Sequence, residues 1–174
     1  MKVVITGPGS CGKTSLIQEF KKRGFKIIPD HPREVLEERK NFIPIKPEIE
    51  YRQNLILEKQ IKKESEISSS DEIVFLEYGM IDIQVYSEYL TGESIKIKKE
   101  LLKNYDIIFI LECLPWINDG IRVESNEENT YKIREMMFEK YMNYGFNPIS
   151  VPILPVKERA DFILEEIKKN QSFC

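Results

Sequence analysis

Directly after Met1, a strand-like Lys2-Val3-Val4-Ile5-Thr6 runs into Gly7-Pro8-Gly9-Ser10-Cys11-Gly12-Lys13-Thr14, and no other stretch restricts the chain so much. Glycine reaches positive φ without a Cβ penalty, so a glycine-rich turn can curl until several amide N–H groups point inward. Such a nest binds anions, and the start of a following helix adds unpaired donors and partial positive charge. In the pattern G-x-x-x-x-G-K-[ST] the lysine reaches the β- and γ-phosphates and the hydroxyl ligates Mg²⁺. Val3-Val4-Ile5 suits a buried parallel strand, and Ser15 to Phe20 reads as a helix with Leu16, Ile17 and Phe20 on one face. Strand, loop and helix thus stand in the required order. The stretch implies a nucleoside triphosphate site made by Gly7, Pro8, Gly9, Ser10, Cys11, Gly12, Lys13, Thr14 and Ser15. A glycine-rich turn with no ligand is the plain alternative.

The rest of the chain is consistent with one α/β domain spanning residues 1–174. Strand-like runs at Phe25 to Asp30, Glu72 to Glu77, Tyr105 to Cys113 and Phe146 to Pro152 alternate with helical stretches. Pro47 suits the first turn of a long helix reaching toward Glu66. Helices are also expected from Pro32, around Ile81 to Leu90 and Ile97 to Lys103, and over Ala160 to Lys169. A stripe of Ile133, Met137, Phe138, Tyr141 and Met142 ends at Gly145, a C-terminal cap. Five strands separated by helices mean a doubly wound parallel sheet with right-handed crossovers. Pro148 inside the fifth strand requires a sheet edge or a bulge.

Composition narrows the setting. Charged residues make up 32 % and hydrophobic ones 41 %, ordinary for a globular protein, and the net charge of −3 lacks the basic footprint of a dedicated nucleic-acid binder. The lysines at 96, 98, 99 and 103 are flanked by acids and read as a solvated helix face. No apolar run approaches the ~20 residues of a membrane helix. The chain enters a strand at once, with no expected leader. Cys11, Cys113 and Cys174 form no disulfide framework or metal-type cluster, so a cytoplasmic protein is expected.

In doubly wound sheets, ligands sit at the carboxyl ends of the strands. Glu77 closes the apolar run Ile73-Val74-Phe75-Leu76, where an acid in a P-loop protein helps to hold Mg²⁺. With Thr14 it is the expected metal pair. Asp30 and Arg33 follow the second strand. Asp30 suits a helix cap, a base that takes a proton from an attacking hydroxyl, or a ligand to the acceptor, and Arg33 could hold an anionic acceptor group. His31, beside Pro32, reads as a surface residue. After the fourth strand, Asp119-Gly120 and Arg122 lie in a segment that could bring a cation over the phosphates. Trp116 could stack on a base, though packing under that segment is the simpler job. The expected catalytic residues are therefore Lys13, Asp30 and Arg122.

Taken together, "GPGSCGKT", "PDHPREV", "FLEYGMID", "WINDGIR" and "VPILPVKERADFIL" resemble the small ATP-binding proteins of the AAA-family ATPase/kinase-like type. Characterised kin of that group include the ribosylnicotinamide kinase domain of bacterial NAD-salvage proteins, and the matching pieces span nearly the whole chain in order. The resemblance implies a nucleoside- and nucleotide-kinase fold with strand order 2-3-1-4-5, and an adenine site near Pro152 to Arg159. One departure is Tyr78, where many relatives carry arginine after the acid. A second is that the adenylyltransferase domain fused to the kinase in the salvage proteins is not expected in these residues. The sequence thus points to an ATP- and Mg²⁺-dependent phosphotransferase acting on a small hydroxyl-bearing, nucleoside- or nucleotide-like acceptor. An ATPase or nucleotide-gated binding protein without an acceptor is the alternative. A guanine-nucleotide switch is weaker, since neither Asn-Lys-x-Asp nor a post-strand Asp-x-x-Gly is present.

Overall fold

The computed structural model describes residues 1–29, 45–67, 73–116 and 124–172. Five parallel strands form one sheet: β1 (Lys2–Thr6), β2 (Lys26–Ile28), β3 (Val74–Leu76), β4 (Ile107–Leu111) and β5 (Ile149–Val151). Their order is β2-β3-β1-β4-β5, with Val3 opposite both Phe75 and Ile107 and with Phe109 opposite Ile149. β5 is an edge strand and Pro148 stands just before it, so the missing N–H disturbs no central ladder.

Successive strand residues point to opposite faces, and both faces are covered. Val3, Ile5, Phe109 and Leu111 join one core with Leu16, Ile17 and Phe20 of α1 (Lys13–Lys22) and with Ala160, Ile163 and Ile167 of α6 (Val156–Ser172). Within it Phe20 stacks on Phe75 at 3.8 Å between ring centroids. Val4, Ile108 and Ile110 join the other core. It takes Ile56 of α2 (Lys46–Ser65), Ile83 of α3 (Met80–Thr91), Leu102 of the short α4 (Lys99–Leu102) and Met137 of α5 (Glu127–Asn143). A doubly wound parallel sheet with helices on both faces results.

Several boundaries differ from the expectations. α4 keeps only one turn of the segment 97–103, while α6 starts earlier than 160, as Arg159 N–H bonds to the carbonyl of Pro155 at 3.0 Å. In α5, Ile133, Met137 and Tyr141 are buried but Met142 is 56 % exposed, because adjacent helical positions lie about 100° apart. Past its end, Gly145 has φ of +89° and Phe146 N–H reaches back to the carbonyl of Tyr141 at 3.2 Å.

Candidate functional site

The loop between β1 and α1 is bent by three positive φ values: Gly7 at +145°, Ser10 at +62° and Gly12 at +82°. At Gly7 a Cβ would stand 2.8 Å from Sγ of Cys11, so glycine is needed for space as well as for φ. The Cys11 thiol is buried and donates to the carbonyl of Pro8 at 3.0 Å, stitching the loop across itself. Lys13 turns its ammonium back over the loop, with Nζ 2.7 Å from the carbonyl oxygens of both Gly7 and Pro8. Gly12 caps α1 and, being glycine, supplies no side-chain cap hydrogen bond. An ordinary soluble helix would place Ser, Thr or Asp at that position. Glycine at this position instead brings the loop's backbone close to whatever the helix start faces.

On the other side of the loop, Thr14 in the first turn of α1 donates a 2.6 Å hydrogen bond to Oε1 of Glu77, just past β3. Glu77 is buried, and its backbone N–H is tied to the carbonyl of Ile28 at 2.9 Å. The chain then turns through Tyr78 at φ +141°, a conformation costing a non-glycine residue on the order of 1–3 kcal/mol.

A buried polar network holds that turn. Gln60 Nε2 donates to the Tyr78 carbonyl at 3.1 Å and to Glu64 Oε1 at 2.8 Å. Tyr105 donates its hydroxyl proton to Glu64 at 2.7 Å and accepts from Met80 N–H at 3.0 Å. Asp82 accepts from Gly79 N–H at 2.7 Å, closing the first turn of α3. Gly79 itself has no room for a Cβ, which would collide with the Tyr141 hydroxyl.

Burial dominates the electrostatics beneath the loop. It pushes the Asp82 carboxyl up to about 6, against the opposing pull of Gly79 N–H, the Thr6 hydroxyl and the Lys13 charge. The Tyr141 hydroxyl pulls Asp82 down as well, and Asp82 adds to the rise that burial gives Tyr141. Burial also raises Glu64, with Tyr105 and Gln60 pulling the other way, and lifts the Cys113 thiol to about 11.

Two further side chains meet the loop. Arg159 of α6, 5 % exposed, donates from Nη1 to the carbonyl of Cys11 at 2.9 Å, and both its Nη atoms lie against the bare face of Gly12. The segment expected to border an adenine therefore sends its one arginine to brace the loop. Glu124, 3 % exposed, accepts at Oε1 from Gly9 N–H at 2.7 Å and from the Tyr86 hydroxyl at 2.6 Å. The Trp116 indole N–H donates to the Glu124 carbonyl at 3.1 Å, so this ring is held from its polar edge. Nothing in the sequence pattern singled out Glu124. Its neighbours Ser125, Asn126, Glu127 and Glu128 read as a capped, acidic helix start, and Asn126 does cap α5.

The structure thus brings Lys13, Thr14 and Glu77 together with the loop from Gly7 to Ser15. Asp30, His31, Arg33, Asp119, Gly120 and Arg122 lie outside the described residues. Among those described, no cluster of three His, Cys, Asp or Glu could hold a metal ion. Mg²⁺ does not require one, since it keeps several waters and completes its shell with phosphate oxygens. The oxygen pair at Thr14 and Glu77 fits such an ion. No described helix is long and apolar enough to cross a membrane.

A crossed-over parallel sheet in this order, with this loop after its central strand, defines the class of small P-loop kinase-like proteins. A family model described as an AAA domain matches residues 2–159, and the chain belongs to that family. Among solved structures it is similar to a deoxyadenosine kinase from M. mycoides with products dCMP and dCDP, at 16 % identity and TM-score 0.66, covering 97 % of this chain and 100 % of that one. It is also similar to a NadR protein in complex with NR, at 19 % identity and TM-score 0.62, covering 86 % of this chain and 45 % of that one. A thymidylate kinase from Candida albicans shows 12 % identity and TM-score 0.61, covering 98 % of this chain and 92 % of that one. No curated protein matches the chain in sequence.

Proposed function

We propose that the chain is an ATP- and Mg²⁺-dependent phosphotransferase whose acceptor is a small hydroxyl-bearing molecule of nucleoside or nucleotide type. One observation carries this reading: Lys13, Thr14 and Glu77 converge on a glycine-bent loop whose helix has no side-chain cap. Gly7 to Ser15 cradle the phosphates, Lys13 reaches the β- and γ-phosphates, and Thr14 and Glu77 would hold the metal. When bound, Mg²⁺ would neutralise charge on the β- and γ-phosphate oxygens. The acceptor hydroxyl oxygen forms the new bond to the γ-phosphorus, the bond to the β–γ bridging oxygen breaks, and ADP leaves. Asp30 takes the hydroxyl proton, Arg33 holds the acceptor, and Arg122 stabilises the transferring phosphoryl group. A nucleoside-type acceptor is supported by the similar structures, which include a deoxyadenosine kinase, a thymidylate kinase and a complex with NR.

A contrast between two variants tests it. Arg33→Ala should leave ATP binding intact and remove acceptor-stimulated turnover. Arg122→Ala should weaken ATP only slightly and cut turnover by about 10²- to 10³-fold, the loss of one preorganised donor. If Arg33→Ala matches the parent throughout while Arg122→Ala abolishes a fast, acceptor-independent hydrolysis, the protein is an ATPase.

A further inference from the structure

Glu124 stands where the proposed function would have no use for a carboxylate. Its Oε1 takes the N–H of Gly9, in the loop that the proposed function assigns to phosphate, at 2.7 Å. A carboxylate oxygen and a phosphate oxygen ask the same thing of a backbone N–H, a charged acceptor about 2.8 Å away. The carboxylate is also oriented from behind. Tyr86 of α3 donates to the same Oε1 at 2.6 Å, and burial holds the Tyr86 hydroxyl well above its usual range, so it remains a donor. The backbone of Glu124 is tied in turn to Trp116.

We propose that Glu124 is an internal stand-in for phosphate, a latch that occupies the Gly9 amide until a polyphosphate displaces it. The inference rests on the reading of the loop as a polyphosphate site and adds its regulation. Tyr86 is a positioning residue that steadies the latch. Binding must first break the hydrogen bond from Gly9 to the carboxylate, which holds nucleotide affinity below what the loop alone would give. Displacing the carboxylate also disturbs the Glu124 backbone, so the indole of Trp116 senses whether the loop is filled.

Trp116 is the single tryptophan of the chain, so its emission is a direct probe. The full chain is titrated with Mg·ATP and with magnesium tripolyphosphate, following tryptophan emission and melting temperature in parallel. The parent should show a saturable emission change with both ligands. Glu124→Gln, nearly equal in shape but uncharged, should bind on the order of tenfold more tightly and show a smaller emission change. Charge repulsion alone would give the tighter binding too, and Tyr86→Phe separates the two causes. That variant keeps the carboxylate but loses its support, so the latch predicts a severalfold gain in affinity where repulsion predicts none. Should Glu124→Gln fold poorly, Tyr86→Phe decides the matter by itself. Unchanged or weaker binding in the folded variants overturns the latch, as does constant parent emission while melting shifts show saturation. Either outcome leaves the phosphotransferase reading standing. If neither ligand binds the parent or a variant by either readout, the polyphosphate site and the latch both fall.

Discussion

Oγ1 of Thr14 and Oε1 of Glu77 are 2.6 Å apart although the residues are 63 positions apart in the chain. The pairing of β1 with β3 makes this possible, since it sets the first turn of α1 beside the end of β3. Two hard oxygen donors at that spacing suit one small cation that takes its other ligands from water and phosphate. Glu77→Gln keeps the hydrogen bond to Thr14 but removes the charge. It should raise the Mg²⁺ concentration needed for half-maximal turnover and lower turnover by about 10²-fold, near the effect of one lost electrostatic contact. Steady-state ADP formation against Mg²⁺ concentration checks this, and an unchanged Mg²⁺ dependence would remove Glu77 from the metal site.

Asp82 predicts an unusual pH profile for stability. Its carboxyl titrates at 3.8 when exposed and at about 6 in the fold, where burial disfavours the charged form. Between those values the folded state binds the proton and the unfolded state does not, so stability falls as pH rises through the window. Above pH 6 the burial of this charge costs on the order of 3 kcal/mol. Glu64, also raised by burial, contributes in the same direction. Asp82→Asn can still accept from Gly79 N–H and can donate toward Tyr141. Urea denaturation should find it more stable than the parent at pH 7.5, with a flatter profile between pH 4 and 6. Equal slopes for the two proteins would contradict this account.

Tyr105 links Met80 N–H to Glu64 inside the network that holds the strained Tyr78. Tyr105→Phe fits the same space but leaves a buried amide and a buried carboxylate oxygen short of a partner. A loss of about 1–3 kcal/mol in unfolding free energy is expected, with a further fall in Mg²⁺-dependent turnover as Glu77 loses its fixed place. Equilibrium denaturation alongside ADP formation reads both. A fall in stability with turnover unchanged would separate the network from the site.

The glycine-bent loop was legible because its pattern is written in consecutive residues, and the place of Glu77 beside it because an acid ending an apolar run stands out by contrast. The sheet followed from alternation, and Pro148 marked its edge. The support beneath the site was not legible. Gln53, Gln60 and Glu64 lie on the buried side of α2, where hydropathy reads them as solvent-facing. Only the fold brings Gln60 to the carbonyl of Tyr78, and nothing in Glu-Tyr-Gly announces a positive φ at the tyrosine. Glu124 and Arg159 grip the loop from 115 and 148 positions away. Local pattern carries no trace of pairings at that distance. In sequence Glu124 is one acid among several, and Arg159 looks like a helix-surface cation.

The central claim is that the loop's phosphate is passed to a bound hydroxyl rather than to water. The direct measurement is ADP formation from Mg·ATP across a panel of nucleosides, nucleotides and vitamin-type alcohols, with mass analysis of the products and Lys13→Ala as control. A phosphotransferase must suppress attack by water, so ADP should form slowly alone and rise on the order of 10²-fold or more with at least one acceptor. The acceptor should gain one phosphoryl group per ADP, and Lys13→Ala should lose both this turnover and the melting shift given by Mg·ATP. Fast ADP formation that no acceptor changes, or the same turnover in Lys13→Ala, would contradict the account.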